Sequence, residues 1–194
     1  MIDSMNRRGK MVREMMEMTV DLMDYEPDAI CRKRTAARGI IRDGERFLLI
    51  FSKHGDYKFP GGGREDGETL EENLIREVQE ETGYLVIPES IKPYGMVLEK
   101  RKGQEAHRML EMDSHYFFCE VEETAGKRNL DEYEEEYDYQ IVWMTLEEAI
   151  KRNKEVVNLN PCPWVIRETR VMEALEKEKE KEKEKEKERE KREV

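Results

Sequence analysis

The sequence predicts an α/β protein, and the order of its apolar segments supports this prediction. Strand-like segments at residues 30–41 and 47–51 come before a helical segment in which Leu70, Leu74 and Val78 share one side. Another strand-like segment, at 141–144, is followed by a second helical segment. Strands followed by a helix, in an order that repeats once, are typical of a layered α/β domain.

The first 29 residues are predicted to form an amphipathic helical extension. Over residues 5–24, apolar side chains, most of them methionine, recur at spacings of three and four. Methionine is common both in irregular cores and on adaptable binding surfaces. Two alternatives stay open: the helix packs on its own domain, or it forms a contact with a peptide or with a second copy of the chain in a homodimer.

Residues 30–155 are predicted to form the main domain. Asp43 and Gly44 are typical of a hairpin turn between its first two strands. Pro60 then leads into three glycines, which indicates backbone that passes close to another group. The next strands are predicted at 91–101 and 115–121, on either side of a polar loop.

The C-terminal region is predicted to be helical and then highly charged. Thr145 and Glu148 have the spacing of a capping box at the start of one helix. A further helix is predicted within 156–175, starting near Trp164. From 176 to 194 glutamate and lysine alternate almost without interruption, which favours a continuation of that helix with a solvated, disordered end.

Composition narrows the function classes. The formal net charge is −11, of which the last 22 residues carry only −1, so the body of the chain is acidic. An acidic body disfavours nucleic acid as a partner and suits a small anionic substrate that arrives with metal ions. No apolar run is long enough to span a membrane, and three widely spaced cysteines predict a reducing, cytoplasmic location.

Three glutamates near the end of the 70–78 helical pattern point to metal chemistry. Glu77, Glu80 and Glu81 stand at i, i+3 and i+4, so they share one side of the helix. Like charges at this spacing repel each other. A hard divalent cation such as Mg²⁺ or Mn²⁺ would offset the repulsion, because it takes oxygen ligands.

The segment 62–84 resembles the Nudix box, a pattern of glycine, glutamate and arginine residues at fixed spacing. The matching residues are Gly62, Glu68, Arg76, Glu77, Val78, Glu80, Glu81 and Gly83. Tyr84 departs from the pattern, because an aliphatic residue is usual there. The resemblance implies an α/β/α sandwich with a mixed β-sheet and an Mg²⁺-dependent hydrolysis of a diphosphate bond.

The resemblance also implies roles for individual residues. Metal binding is implied for Glu77, Glu80 and Glu81 and for the carbonyl of Gly61. Arg76 is expected to orient the glutamates, and Glu68 to pair with Arg76 or to support the metal. Glu77 is one candidate for the general base. Others come from the acidic run at 134–136, represented here by Glu135.

Candidate substrate contacts lie outside the box. Tyr57 and Phe59 precede the glycines and could stack on a base, although a phenylalanine before a turn more often belongs to the core. Arg101 could reach a phosphate. The residues that mark hydrolases of ADP-ribose, dinucleoside polyphosphates or coenzyme A are absent, so an oxidised nucleotide stays open by default.

Three functional hypotheses follow from the sequence. The first is a hydrolase that cleaves a nucleoside diphosphate linked to another group, or a nucleoside triphosphate. The second is a catalytically silent nucleotide sensor or interaction module on the same fold. The third, a pyrophosphohydrolase acting on RNA 5′ ends, needs a basic path that the acidic body does not favour.

Overall fold

The computed structural model describes residues 4–5, 11–12, 15–159 and 162–192. Its strands form two main sheets and a short two-stranded ribbon. The strands are β1 (Ser4–Met5), β2 (Met11–Val12), β3 (Met16–Asp21), β4 (Ile30–Ile40), β5 (Arg42–Asp43), β6 (Arg46–Phe51), β7 (Tyr57–Lys58), β8 (Gly61–Gly63), β9 (Lys92–Lys102), β10 (Arg108–Phe118) and β11 (Gln140–Met144).

The helices lie mainly in the second half of the chain. Thr69 caps the first long helix and forms a capping box with Glu72, and Gly83 ends this helix with a φ of 76°. The predicted capping box of Thr145 and Glu148 is also present. The helices are α1 (Leu70–Thr82), α2 (Glu132–Glu136), α3 (Leu146–Val156) and α4 (Val165–Arg192), with a 3₁₀ turn at Pro88–Ser90.

The larger sheet is mixed, as expected. Its strand order is β3-β9-β10-β4-β8, in which β3 runs parallel to β9 and β10 runs parallel to β4, while the other two pairings are antiparallel. The smaller sheet has the order β11-β6-β5, with β7 also paired to β6. The edge strand β8 carries the glycines that begin the box, so the pairing of β8 with β4 fixes where the box starts.

Two apolar clusters fill the spaces on either side of the sheets. One includes Leu74 and Val78 of α1, and the other includes Leu146 of α3 and Met172 of α4. Neighbouring residues of β6 point alternately into the two clusters, as the period of a strand requires. The arrangement is the predicted α/β/α sandwich.

The helix predicted over residues 5–24 is wrong for the described part of that segment. Residues 16–21 form β3, the edge strand beside β9. The side chains of Met16, Met18 and Val20 are partly or fully buried, whereas the alternate positions between them are exposed. The helical spacing of the methionines conceals this period-two pattern in the sequence. The segment forms a strand because it pairs with β9. The other residues of the prediction at 6–10 and 13–14 lie outside the described residues.

The last helix continues beyond the 156–175 segment into the glutamate–lysine segment, as expected. It begins at Val165 and runs to Arg192, so the part expected to form a disordered end is helical as far as residue 192. Its first turns beyond Leu175 contact the body, where the Tyr94 hydroxyl donates to Glu178 over 3.1 Å and Lys179 pairs with Glu45. In the described ranges, no helix has the length and apolar character needed to cross a membrane.

The pairing of β3 with β9 can be tested at Gly95. A Cβ atom at this position would lie 2.2 Å from the carbonyl oxygen of Met16. Gly95→Ala should therefore push β3 away from β9 and lower the free energy of unfolding by about 1–3 kcal/mol, measured by chemical denaturation. Gly126→Ala is the control, because its nearest neighbour would be 3.4 Å away. Equal stability of the two variants would contradict the pairing.

Candidate metal centre

Two glycines allow the backbone at the start of the box to lie close to β4 and to Glu77. Gly61 has a φ of 138°, and a Cβ there would lie 2.2 Å from the carbonyl oxygen of Ala37 in β4. A Cβ on Gly62 would lie 2.3 Å from Oε2 of Glu77. The backbone thus passes directly over the Glu77 carboxylate, and a larger residue at either position would have to displace a neighbour.

Three buried glutamates meet beside this backbone. Glu77 and Glu81 come from α1 and Glu134 comes from α2, and one carboxylate oxygen of each lies within 4.8 Å of the other two. All three are buried, with at most 8% of any one residue exposed. We call this group the carboxylate centre.

A buried lysine accompanies the carboxylate centre. Nζ of Lys58 donates to Glu81 over 2.5 Å and lies 4.6 Å from the centroid of the Tyr139 ring. The second oxygen of Glu81 accepts from the backbone N–H of Gly61 over 2.8 Å. Glu81 is therefore held by β7 and β8 at the same time.

Arg76 forms hydrogen bonds with several glutamates of the box. Its guanidinium donates to both oxygens of Glu68, at 2.7 and 3.1 Å, and to Glu77 and Glu80, each at 2.9 Å. It also donates to the carbonyl of Gly63 over 3.1 Å. Arg76 thus contacts the glutamates that it is expected to orient, and Glu68 pairs with it. A planar guanidinium suits these contacts because its donors form a rigid fork.

The electrostatics of the centre suit a divalent cation. Burial raises the pKa of Glu77, although Arg76 partly offsets this effect. Burial and the neighbouring Glu81 raise the pKa of Glu134 to about 7. Charge from the glutamates is incompletely balanced by Arg76 and Lys58. Since carboxylate oxygens are the ligands that Mg²⁺ and Mn²⁺ prefer, these residues fit such an ion.

The acidic run at 134–136 contributes one residue to the centre, and it is Glu134. Glu135, the residue chosen from the sequence, is exposed one position further along α2. The capping box of α2 explains the difference, because Glu134 at its third position accepts from the N–H of Asp131 and is thereby turned inward. Sequence alone does not distinguish three consecutive glutamates when the helix that orients them is only five residues long.

The other residues predicted to contact metal or substrate lie in different environments. Gly61 contacts the centre through its N–H, which donates to Glu81, whereas its carbonyl accepts a hydrogen bond from Nη1 of Arg38 over 2.8 Å. Phe59 cannot stack on a substrate, because its ring is fully buried and packs edge-on against Tyr116. Tyr57 is half-buried against Phe51, with ring centroids 5.0 Å apart.

Arg101 lies away from the carboxylate centre. It belongs to β9, and its side chain is 18% exposed, with Nε 3.4 Å from Glu99. It lines a separate cavity with other arginines. Lys58 and Arg38 are not among the residues that the sequence predicts for the site, since a single lysine or arginine in a strand has no spacing that would distinguish it.

Comparison with known proteins places the chain in a family. Its residues 32–165 match the family model of the NUDIX domain, which is more than half of the chain. The chain belongs to this family. An ADP-ribose pyrophosphatase of Methanocaldococcus jannaschii is 35% identical over 88 residues, which are 43% of this chain and 51% of that protein. The chain thus spans about half the length of this curated relative.

A solved structure supports the fold independently. A NUDIX hydrolase from Nitrosomonas europaea superimposes with a TM-score of 0.52 at 18% identity, covering 74% of this chain and 90% of the other. At this identity the likeness concerns the fold alone.

The raised pKa of Glu134 predicts how the stability of the metal-free protein depends on pH. In the folded state Glu134 retains its proton up to about pH 7, whereas the ordinary value is 4.5. Between these values the folded state binds more protons than the unfolded state, so this group lowers the free energy of unfolding as pH rises. Glu134→Gln should remove that contribution.

The measurement is urea denaturation in excess chelator at several pH values between about 5 and 7. His115, whose pKa is lowered by burial, acts in the opposite direction, but it is common to both proteins and cancels in their difference. A constant difference between the two proteins across this range would contradict the assignment.

Proposed function

We propose that this protein hydrolyses a diphosphate bond in a nucleotide derivative, with Mg²⁺ or Mn²⁺ as its cofactor. The observation that carries the proposal is the carboxylate centre, in which two glutamates of the box meet Glu134 in a buried site. Burial of three carboxylates whose oxygens lie within 4.8 Å of one another is costly unless a cation joins them.

Each part of the centre has a role in this reaction. The chemistry that a bound divalent cation supplies is neutralisation of phosphate oxygens and a lower pKa of coordinated water. Glu77, Glu80 and Glu81 are the proposed metal ligands, with the Gly61 carbonyl beside them. Arg76 and Glu68 hold the ligands in position.

Glu134 is the proposed general base. A base is most effective when its pKa lies near the working pH, and the pKa of Glu134 is raised to about 7. Its Oε1 accepts from the hydroxyl of Tyr133 over 2.9 Å, and its Oε2 accepts from Asp131, so the carboxylate is fixed in orientation. Glu77 is the second candidate, since burial raises its pKa as well.

The proposed substrate is a nucleoside diphosphate linked to another group, with a nucleoside triphosphate as the alternative. The curated relative supports the first, because it is an ADP-ribose pyrophosphatase. We also propose a cytoplasmic location, in keeping with the free thiols of Cys31, Cys119 and Cys162.

The metal ligands can be tested by removing one charge at a time. Glu77→Gln and Glu80→Gln should each lower kcat/KM by at least about a hundredfold, because a carboxamide is a poorer ligand for Mg²⁺. Turnover is measured as phosphate released after coupling to a phosphatase, with far-ultraviolet circular dichroism to check folding. Full activity in both variants would contradict the proposed centre.

The general base can be tested with two neighbouring residues. Glu134→Gln should lower kcat by about a hundredfold or more and remove the acid limb of the pH–rate profile. Glu135→Gln is the matched control and should keep the wild-type rate, because its side chain is exposed. The reverse pattern would assign the base to Glu135.

A substrate panel separates the hydrolase from the nucleotide sensor. Nucleoside triphosphates, nucleoside diphosphate sugars and dinucleotides are incubated with Mg²⁺, and binding is measured in parallel by calorimetry. Turnover of at least one compound is expected. Tight binding of one nucleotide without turnover of any would favour the sensor.

A further inference from the structure

A cavity lies on the larger sheet, and none of the residues of the carboxylate centre lines it. It has a volume of about 370 Å³ and lies where β4 and the hairpin of β9 and β10 end. Arg32 and Arg34 line it from β4, Arg101 from β9 and Arg108 from β10. We call it the arginine cavity.

The charge of this cavity is opposite to that of the protein as a whole. Its lining contains four arginines and a single acidic residue, Glu105, which gives a local charge of +3 in a chain whose net charge is −11. Like charges gathered in a concave surface repel each other and focus the field on that surface. Such a surface attracts a small anion.

Among the described residues, few carboxylates lie close enough to pair with these arginines. Within the described residues, Arg32 and Arg34 have no carboxylate within 4.0 Å. Arg101 approaches Glu99, but Glu99 is already paired with the buried Arg167. Nε of Arg101 is buried without a hydrogen-bond partner among the described residues. Arg108 has only a solvent-exposed contact with Glu105, at 3.5 Å.

Arg34 connects the arginine cavity to the box. In the pairing of β4 with β8, Gly63 lies opposite Ala36, two residues after Arg34. Nη2 of Arg34 lies 2.1 Å from the place that a Cβ of Gly63 would occupy. At about 3.3 Å per residue along a strand, Arg32 lies roughly 7 Å beyond Arg34. Arg34 therefore lies both in the lining of the cavity and beside the backbone that begins the box.

We propose, on the basis of the hydrolase function above, that the arginine cavity binds a phosphate monoester on the part of the substrate away from the hydrolysed bond. Guanidinium groups bind phosphate through paired, charge-assisted hydrogen bonds, and a monoester carries close to two negative charges at neutral pH. The substrate class is thus a nucleoside diphosphate derivative with an additional phosphate on its ribose.

Two matched pairs of substrates test this assignment. ADP-ribose 2′-phosphate is compared with ADP-ribose, and coenzyme A with its 3′-dephospho form. The wild-type protein should prefer the phosphorylated member of at least one pair by about tenfold or more in kcat/KM, since the added phosphate would accept charge-assisted hydrogen bonds from the arginines. Absence of a preference in both pairs would overturn the proposal.

Substitution of exposed arginines shows whether the cavity causes the preference. Arg32→Ala/Arg108→Ala should bring the ratio for the preferred pair close to one while the unphosphorylated member is turned over as before. Arg42→Ala/Arg46→Ala is the matched control, because it removes two exposed arginines of β5 and β6 and should keep the preference. A preference that survives the first double variant would place the phosphate elsewhere.

A binding measurement keeps this proposal separate from the proposed hydrolysis. Adenosine 2′,5′-bisphosphate, adenosine 3′,5′-bisphosphate, adenosine 5′-monophosphate and inorganic phosphate are titrated by calorimetry in excess chelator. One bisphosphate should bind at least about tenfold more tightly than the monophosphate, and the cavity variant should lose the difference. This outcome would support the cavity assignment even if no compound were hydrolysed.

Other outcomes would overturn the cavity assignment without affecting the hydrolase proposal. Hydrolysis of some substrate without any advantage of a bisphosphate would overturn the cavity assignment alone and leave the hydrolase proposal intact. In another outcome, inorganic phosphate binds through the cavity arginines, but neither bisphosphate binds more tightly than the monophosphate. This result would identify the cavity as a site for a free anion and overturn its assignment to the substrate.

Discussion

The close approach of β8 to its neighbours is the constraint on which the rest of the molecule depends. Gly61 touches the backbone of β4, Gly62 lies over the carboxylate of Glu77, and Gly63 abuts the guanidinium of Arg34. A side chain at any of the three would need space that another group already occupies. Three consecutive glycines thus connect the sheet, the carboxylate centre and the arginine cavity. Glycine is needed here because there is no space for a side chain, and not only because it gives a turn flexibility.

A buried ionic network holds this strand from the other side. Glu168 of α4 accepts from the N–H of Phe59 and from the hydroxyl of Tyr116, and Arg38 lies between Glu168 and the carbonyl of Gly61. Although burial alone would raise the pKa of Glu168, Arg167 and Arg38 hold it below its ordinary value. Buried ion pairs contribute little net stability, but loss of one partner leaves a charge in the interior. The last helix therefore fixes the backbone ahead of the box, 109 residues away in sequence from Phe59 to Glu168.

Sequence predicts best where local chemistry decides the structure. The helix of the box, the capping box of Thr145 and Glu148, and the pairing of Arg76 with Glu68 each depend on residues within one segment, and all are present. Two predictions failed because distant contacts decide them. The spacing of Met16 and Met18 fits a helix, yet the segment forms a strand because it pairs with the edge of β9. Phe59 stands beside the box in sequence, yet its ring fills the core against Tyr116. Lys58 joins the centre only because β7 pairs with β6, which no spacing in the sequence indicates.

The distribution of charge explains how an acidic protein can take an anionic substrate. A long nucleic acid would extend beyond any local basic region and meet the acidic body, where each phosphate adds repulsion. A small molecule avoids this cost, because its charge is confined to the sites that neutralise it. In the proposed function, the carboxylate centre would require a divalent cation before it could accept a diphosphate, whereas the arginine cavity is positively charged without one. The two proposed sites would thus bind different forms of phosphate, one brought with a metal and one bound directly by guanidinium groups. A substrate that satisfies both must carry its phosphates at two separate places.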